Sequence, residues 1–93
     1  MYEGENMNKI AKKTIIVYVL KVLYNYTSNE NQATQTFISD YINDMGIPCD
    51  RKTVGRNIKY LTEIGLPIKR STKNKKGYYY DKANDNFFNK GVV

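Results

Sequence analysis

Histidine and tryptophan are missing from this sequence, cysteine occurs once and proline twice. Without histidine there is no imidazole base to activate a nucleophile, and Cys49 has no ring partner that would make it one. A metal centre would have to come from carboxylates and a single thiol, and these are not clustered with ligand spacing. Asp40 and Asp44 stand one helical turn apart, which suits a solvated helix face better than paired acid–base work. Asp81 and Asp85 read as ordinary turn residues. No glycine-rich loop of the phosphate-cradling kind is present. The expectation is a protein that is not an enzyme, with no cofactor and no metal.

A lone cysteine excludes an intrachain disulfide and fits a reducing compartment. Flanked by Pro48 and Asp50, its thiol is expected to fill a small buried space. Long apolar runs are also missing. Ile15 to Leu20 is apolar, but Lys21 interrupts the run, Lys12 and Lys13 precede it, and ~20 apolar residues are needed to cross a bilayer. Tyr24-Asn25-Tyr26 is no signal-peptide cleavage site. A cytoplasmic location without membrane contact is expected. Nine tyrosines and three phenylalanines must supply the aromatic share of a modest core in one small domain.

Basic charge is concentrated in one segment. Between Arg51 and Lys76 nine basic residues face a single acid, Glu63, so this segment carries +8 while the whole chain carries +6 and the remainder −2. Solvated faces usually mix both signs. A one-sided segment of this kind is the footprint of a surface for polyanions, and of nucleic acid above all.

Hydrophobic spacing predicts residues 1–8 as a disordered N-terminus and a helix over Lys9–Tyr26. Ile16, Leu20 and Leu23 form its core stripe, and Ile15, Val19, Val22 and Tyr26 a second stripe. The second could contact the C-terminal aromatics or another subunit. Thr27 to Ala33 reads as a loop. Thr34 offers an N-cap for a second helix over Gln35–Met45, with Phe37, Ile38, Tyr41, Ile42 and Met45 as its apolar face and Gly46 as its stop. Ile47-Pro48-Cys49 is an extended connector.

Asp50 then caps a third helix over residues 51–64, and Gly65 ends it. Val54, Ile58, Leu61 and Ile64 fall on one side, and Lys52, Arg56 and Lys59 on the other. Two amphipathic helices joined by a few residues containing glycine have the form of a helix-turn-helix. Ile68-Lys69-Arg70 and Gly77-Tyr78-Tyr79-Tyr80 read as strands joined by a loop holding Lys73, Lys75 and Lys76. The fold class expected is α+β: three helices followed by a two-stranded β-hairpin wing, a winged helix-turn-helix over residues 9–88. Residues 89–93 are a tail or the start of a linker, and Asn84 to Phe88 form a short turn that tucks Phe87 and Phe88 against the first helix.

The run Asp50-Arg51-Lys52-Thr53-Val54, then Arg56-Asn57-Ile58, Leu61, Gly65-Leu66-Pro67-Ile68 and Lys76-Gly77-Tyr78-Tyr79-Tyr80, resembles the N-terminal winged-helix domain of WYL-type, DeoR-like bacterial transcriptional regulators. The resemblance covers roughly residues 9–88. It implies double-stranded DNA as partner, with helix 51–64 in the major groove and wing 69–80 on the phosphate backbone. On matching positions Arg51, Lys52, Thr53 and Arg56 would meet DNA and Lys59 a phosphate; Lys69, Arg70, Lys73, Lys75 and Lys76 would follow the backbone. The sequence departs from the family at Gly55, where a larger side chain is usual, and at Asn57, where Asp is common. Gly55 is read at the centre of the helix's exposed side, where it deletes a potential base contact. The family's large ligand-sensing domain is absent from these 93 residues. Two readings stand side by side. One is a transcription regulator or its isolated DNA-binding domain, with a homodimer through the first helix as one option. The alternative is a small phage or mobile-element winged-helix protein that binds a protein or a nuclease–nucleic-acid complex as an inhibitor.

Overall fold

The computed structural model describes residues 4–72 and 77–89, and among them the side chains of residues 13–72 and 77–87. In chain order the elements are α1 (Gly4–Tyr26), β1 (Ala33–Thr34), α2 (Gln35–Asp44), α3 (Arg51–Glu63), β2 (Ile68–Arg70) and β3 (Gly77–Tyr80). A 3₁₀ turn (Lys82–Asn84) and the single-turn α4 (Asn86–Asn89) follow. The protein is α+β: three helices of ten residues or more with a small antiparallel sheet.

Helix α1 starts at Gly4, five residues before the expected start at Lys9. It buries Ile15, Val19, Val22 and Leu23, while Ile16 and Leu20 are half-buried and Tyr26 is exposed. The second stripe, apart from Tyr26, is thus the more buried of the two, and of the expected core stripe only Leu23 is fully buried. They lie side by side on the helix, and periodicity alone cannot choose between them. Packing against α2, α3 and β3 makes the choice. Ile15, Val19 and Val22 are β-branched, so their strand preference is overridden by burial. At the helix end the Thr27 hydroxyl donates to the Leu23 carbonyl and accepts from the Tyr80 amide at 2.9 Å. One buried hydroxyl therefore closes α1 and fastens β3 to it.

The core is completed by Ile38 and Ile42 of α2, Val54, Ile58 and Leu61 of α3, and Leu66, Ile68 and Tyr80 beyond them. Only the inner half of the apolar face expected for α2 is covered, since Phe37 and Met45 are exposed and Tyr41 is half-buried. Truncating a fully buried residue such as Ile38 to Ala is expected to cost about 2–5 kcal/mol.

The sheet has three strands in the order β1-β3-β2, not two. Ala33 pairs with Tyr78 and Thr34 with Gly77, while Ile68, Lys69 and Arg70 pair with Tyr80, Tyr79 and Tyr78. The extra strand escapes sequence reading because two residues show no alternation. Thr34 is extended (φ −83°, ψ 163°) as an N-cap must be, which lets it pair sideways while its hydroxyl accepts from the Phe37 amide. After the sheet, Phe87 lies beside Ile64 and Gly65 at the end of α3 instead of against α1. Tyr80 meets α1 instead, its ring edge-on to Tyr24 with centroids 4.9 Å apart.

Candidate nucleic-acid interface

Helix α3 is held at both ends as its sequence suggests. Asp50 is extended, and its Oδ1 accepts from the Thr53 amide at 2.8 Å. Those hydrogen bonds from Thr53, aided by the positive charges of Arg56 and Lys52, hold the Asp50 carboxyl below its ordinary value. Ile64 is the C-cap and Gly65 takes φ +109°, a conformation that excludes most side chains. Ile64 is itself exposed, because the cap position turns it away from the buried stripe.

Around the helix, at about 100° per residue, Lys52, Arg56 and Lys59 lie opposite Val54, Ile58 and Leu61, together with Glu63. All four are exposed. Arg51, Gly55 and Thr62 occupy the flank that turns toward α2 and the sheet. Thr53 and Asn57 occupy the other flank and are half-buried. Asn57 bonds within the helix, its Nδ2 donating to the Thr53 carbonyl at 2.9 Å.

Gly55 is therefore on a flank and not at the centre of the exposed side. The space where its side chain would begin is filled by Gln35, from the first turn of α2. A Cβ at Gly55 would stand 2.5 Å from Gln35 Nε2 and 3.1 Å from its Cδ. That same Nε2 donates to the Arg51 carbonyl at 2.8 Å, and Gln35 Oε1 accepts from the Tyr78 hydroxyl at 3.3 Å. The glycine answers to an internal neighbour.

Strand alternation divides the two basic residues of β2. Arg70 lies on the same face as the buried Ile68, and its guanidinium sits 5.2 Å over the Tyr78 ring. It lines a groove with Gly55, Lys59, Thr62, Glu63 and Tyr78. Lys69 pairs with Tyr79 on the opposite face. Arg70 also joins Arg51 at the start of α2, where Thr34, Gln35 and Thr36 complete a polar recess of about 320 Å³. Arg51 and Arg70 thus stand beside the N-terminus of α2, an end of positive dipole where the Thr34 hydroxyl already takes the Phe37 amide. Lys73, Lys75 and Lys76, expected at the tip of the wing, lie outside the described residues.

Thr34, Gln35, Thr36 and Tyr78 were not among the expected site residues. Thr34 carried a local signal as an N-cap. The role of Gln35 depends on contacts with residues 16 and 43 positions away, which no local pattern announces.

Away from this face, Val17, Leu20, Lys21, Tyr24 and Asn25 of α1 line a shallow, mainly apolar hollow of about 580 Å³. Lys82 Nζ stands 4.3 Å over the Tyr24 ring. Among the described residues no helix is long and apolar enough to cross a membrane, and no group of three or more potential metal ligands is present. Comparison with protein families, with curated proteins and with solved structures yields no match for this chain.

Proposed function

We propose that this chain is a winged helix-turn-helix protein that binds duplex DNA and regulates transcription, akin to the DNA-binding domain of the WYL-type, DeoR-like regulators it resembles. The observation that carries the proposal is the convergence of Lys52, Arg56 and Lys59 on the free face of α3 with Arg51 and Arg70 beside it. In the major groove Lys52 and Arg56 would reach base edges, and a bidentate guanidinium suits guanine. Arg51 and Arg70, around the amides of α2, suit one backbone phosphate, with Lys59 on another. Phosphate contacts would fix the register while α3 reads the sequence. Gly55 subtracts nothing from this arrangement, because its flank faces Gln35. The role is non-catalytic and placed in the cytoplasm.

Selection from random duplex DNA, followed by anisotropy titrations at several salt concentrations, tests the proposal. With about four to six phosphates neutralised, log K is expected to fall with log salt at a slope of roughly −4 to −5. A slope near zero, or no enriched motif, rejects it.

A second reading has its own observation, the exposed apolar face of α1. Val17 is 59% exposed and Tyr24 37%, both lining the hollow described above. We propose that this face holds a second copy of the chain, since one winged helix makes a small footprint and a dimer doubles it. Sedimentation equilibrium of wild type and Val17→Glu checks this. A monomer at all concentrations, with DNA-independent partners surviving nuclease treatment in a pull-down, would favour the inhibitor alternative.

A further inference from the structure

Gln35 stands in the first turn of a helix, where a polar side chain is ordinarily solvated, yet it is half-buried and both ends of its carboxamide are engaged. Its Nε2 binds α3 through the Arg51 carbonyl, and its Oε1 binds β3 through the Tyr78 hydroxyl. Tyr78 in turn carries the Arg70 guanidinium over its ring. Helix α3, which presents Arg51, and strand β3, whose Tyr78 ring carries Arg70 of the neighbouring β2, are therefore both tied to the first turn of α2 by one side chain. Gly55 sits in the middle of α3 without a positive φ, so backbone freedom does not explain it. Glycine is the poorest helix former after proline, and an alanine would serve the helix better. What alanine would not permit is the present seat of Gln35: its Nε2 would lie 2.5 Å from the new Cβ, so the carboxamide would have to swing away from the Arg51 carbonyl and the Tyr78 hydroxyl.

We propose that Gln35 is the positioning residue of the basic surface: its carboxamide, seated over Gly55, sets the spacing between α3 and the sheet and so the spacing between Arg51 and Arg70. Its effect on affinity rests on the DNA-binding reading above; its effect on packing does not. A rigid spacing matters because charged groups pre-set at the separation of their targets lose less freedom on binding.

The test is a double-mutant cycle read in two ways. In thermal unfolding, Gly55→Ala is expected to lower Tm in the wild-type background and to raise it in the Gln35→Ala background, where the space is vacated. The same sign and size of shift in both backgrounds overturns the proposal. In anisotropy titrations with a labelled random-sequence duplex at low salt, the folded double variant Q35A/G55A is expected to bind about three- to tenfold more weakly than wild type, the scale of one net hydrogen bond. It should also show a shallower salt dependence, as Arg70 drops out of register. Affinity and slope equal to wild type overturn the positioning role. Tyr78→Phe, which keeps the ring under Arg70 and removes only the hydroxyl, serves if the double variant unfolds: it should weaken binding in wild type and have no further effect on Gln35→Ala. If wild type binds no duplex, the DNA reading falls, and the sign change in Tm alone decides the packing claim.

Discussion

The side chain of Asn43 pairs with the backbone of Cys49 as a second strand would. Its Nδ2 donates to the Cys49 carbonyl at 2.7 Å and its Oδ1 accepts from the Cys49 amide at 2.8 Å. Gly46 at φ +89° turns the chain after α2, and this pair of hydrogen bonds then holds the connector just ahead of Asp50, the N-cap of α3. One carboxamide thus ties the end of α2 to the residue before the α3 cap. Asn43→Ala is expected to cost about 1–2 kcal/mol, from two net hydrogen bonds partly replaced by water. Urea unfolding would show a lower midpoint at unchanged slope. A midpoint equal to wild type would mean that Pro48 and the helix ends hold the turn unaided.

Such contacts mark the boundary of what the sequence makes legible. Helix α3 is readable almost residue by residue, because its cap, its stop and its apolar spacing are all local. Strands β2 and β3 have the expected bounds for the same reason. Strand β1 is two residues long and has no pattern to find. The stripes of α1 are alike in spacing, and packing against α2, α3 and β3 selects Ile15, Val19 and Val22. Phe87 reaches α3, and not α1, through a turn whose path no periodicity encodes. Gly55 is the clearest case. Read along the chain it is a missing side chain on a basic helix; in three dimensions it is the seat of Gln35, twenty positions earlier.

Tyr80 closes the core with a polar group that needs its partner. The ring is buried and its hydroxyl donates to Asp85 Oδ2 at 2.9 Å, also buried. Burial, followed by the hydrogen bond to Asp85 and its negative charge, pushes the Tyr80 phenol well above its ordinary value of 10.0. The folded state therefore holds this proton more tightly than the unfolded state. Its contribution to stability is complete below pH 10 and declines as pH rises past that value. Absorbance titration should show Tyr80 ionising only as the fold is lost. Tyr80→Phe removes the donor, leaves a buried carboxylate oxygen one partner short, and is expected to cost about 1–3 kcal/mol in urea unfolding.

Cys49 should be a slow thiol. It is half-buried against the core, its Sγ is 3.6 Å from the Asp50 carbonyl, and burial followed by the Asp50 charge raises its pKa above the ordinary 9.0. The thiolate is the reactive form. Iodoacetamide labelling at neutral pH is therefore expected to lag behind the same chain in denaturant. Asp50→Asn should speed it by removing the negative charge. Equal rates in folded and unfolded chain would place the thiol in open solvent.

Asp50 itself should tie the start of α3 to pH. Its carboxyl is held below 3.8 in the folded protein by the hydrogen bonds from Thr53 and by Arg56 and Lys52. A depressed carboxyl stabilises the fold above its unfolded value, and that support is withdrawn as pH falls through the folded value. Wild type should therefore lose more Tm between pH 5 and pH 2 than Asp50→Asn, which keeps an N-cap acceptor without a titrating proton. Parallel decline of both proteins would assign the acid sensitivity to other carboxyls.

The two faces of β2 supply a test of the DNA reading that ordinary charge removal lacks. Arg70 and Lys69 are adjacent in sequence and alike in charge, but only Arg70 lines the grooves with Arg51, Gly55 and Lys59. If net charge alone attracted DNA, Arg70→Ala and Lys69→Ala would weaken binding equally. A surface built from α3, the start of α2 and the inner face of the sheet predicts otherwise. Arg70→Ala should lower affinity and reduce the magnitude of the salt slope by about one, the signature of one lost phosphate contact. Lys69→Ala should change the slope by much less. Arg56→Ala should act differently from both, relaxing preference at one base pair by about 1–3 kcal/mol on an enriched site while leaving non-specific binding weaker by only one charge. Anisotropy titrations of the three variants against one selected and one scrambled duplex separate these outcomes. Equal losses at Lys69 and Arg70 would leave general attraction between opposite charges as the whole account of binding.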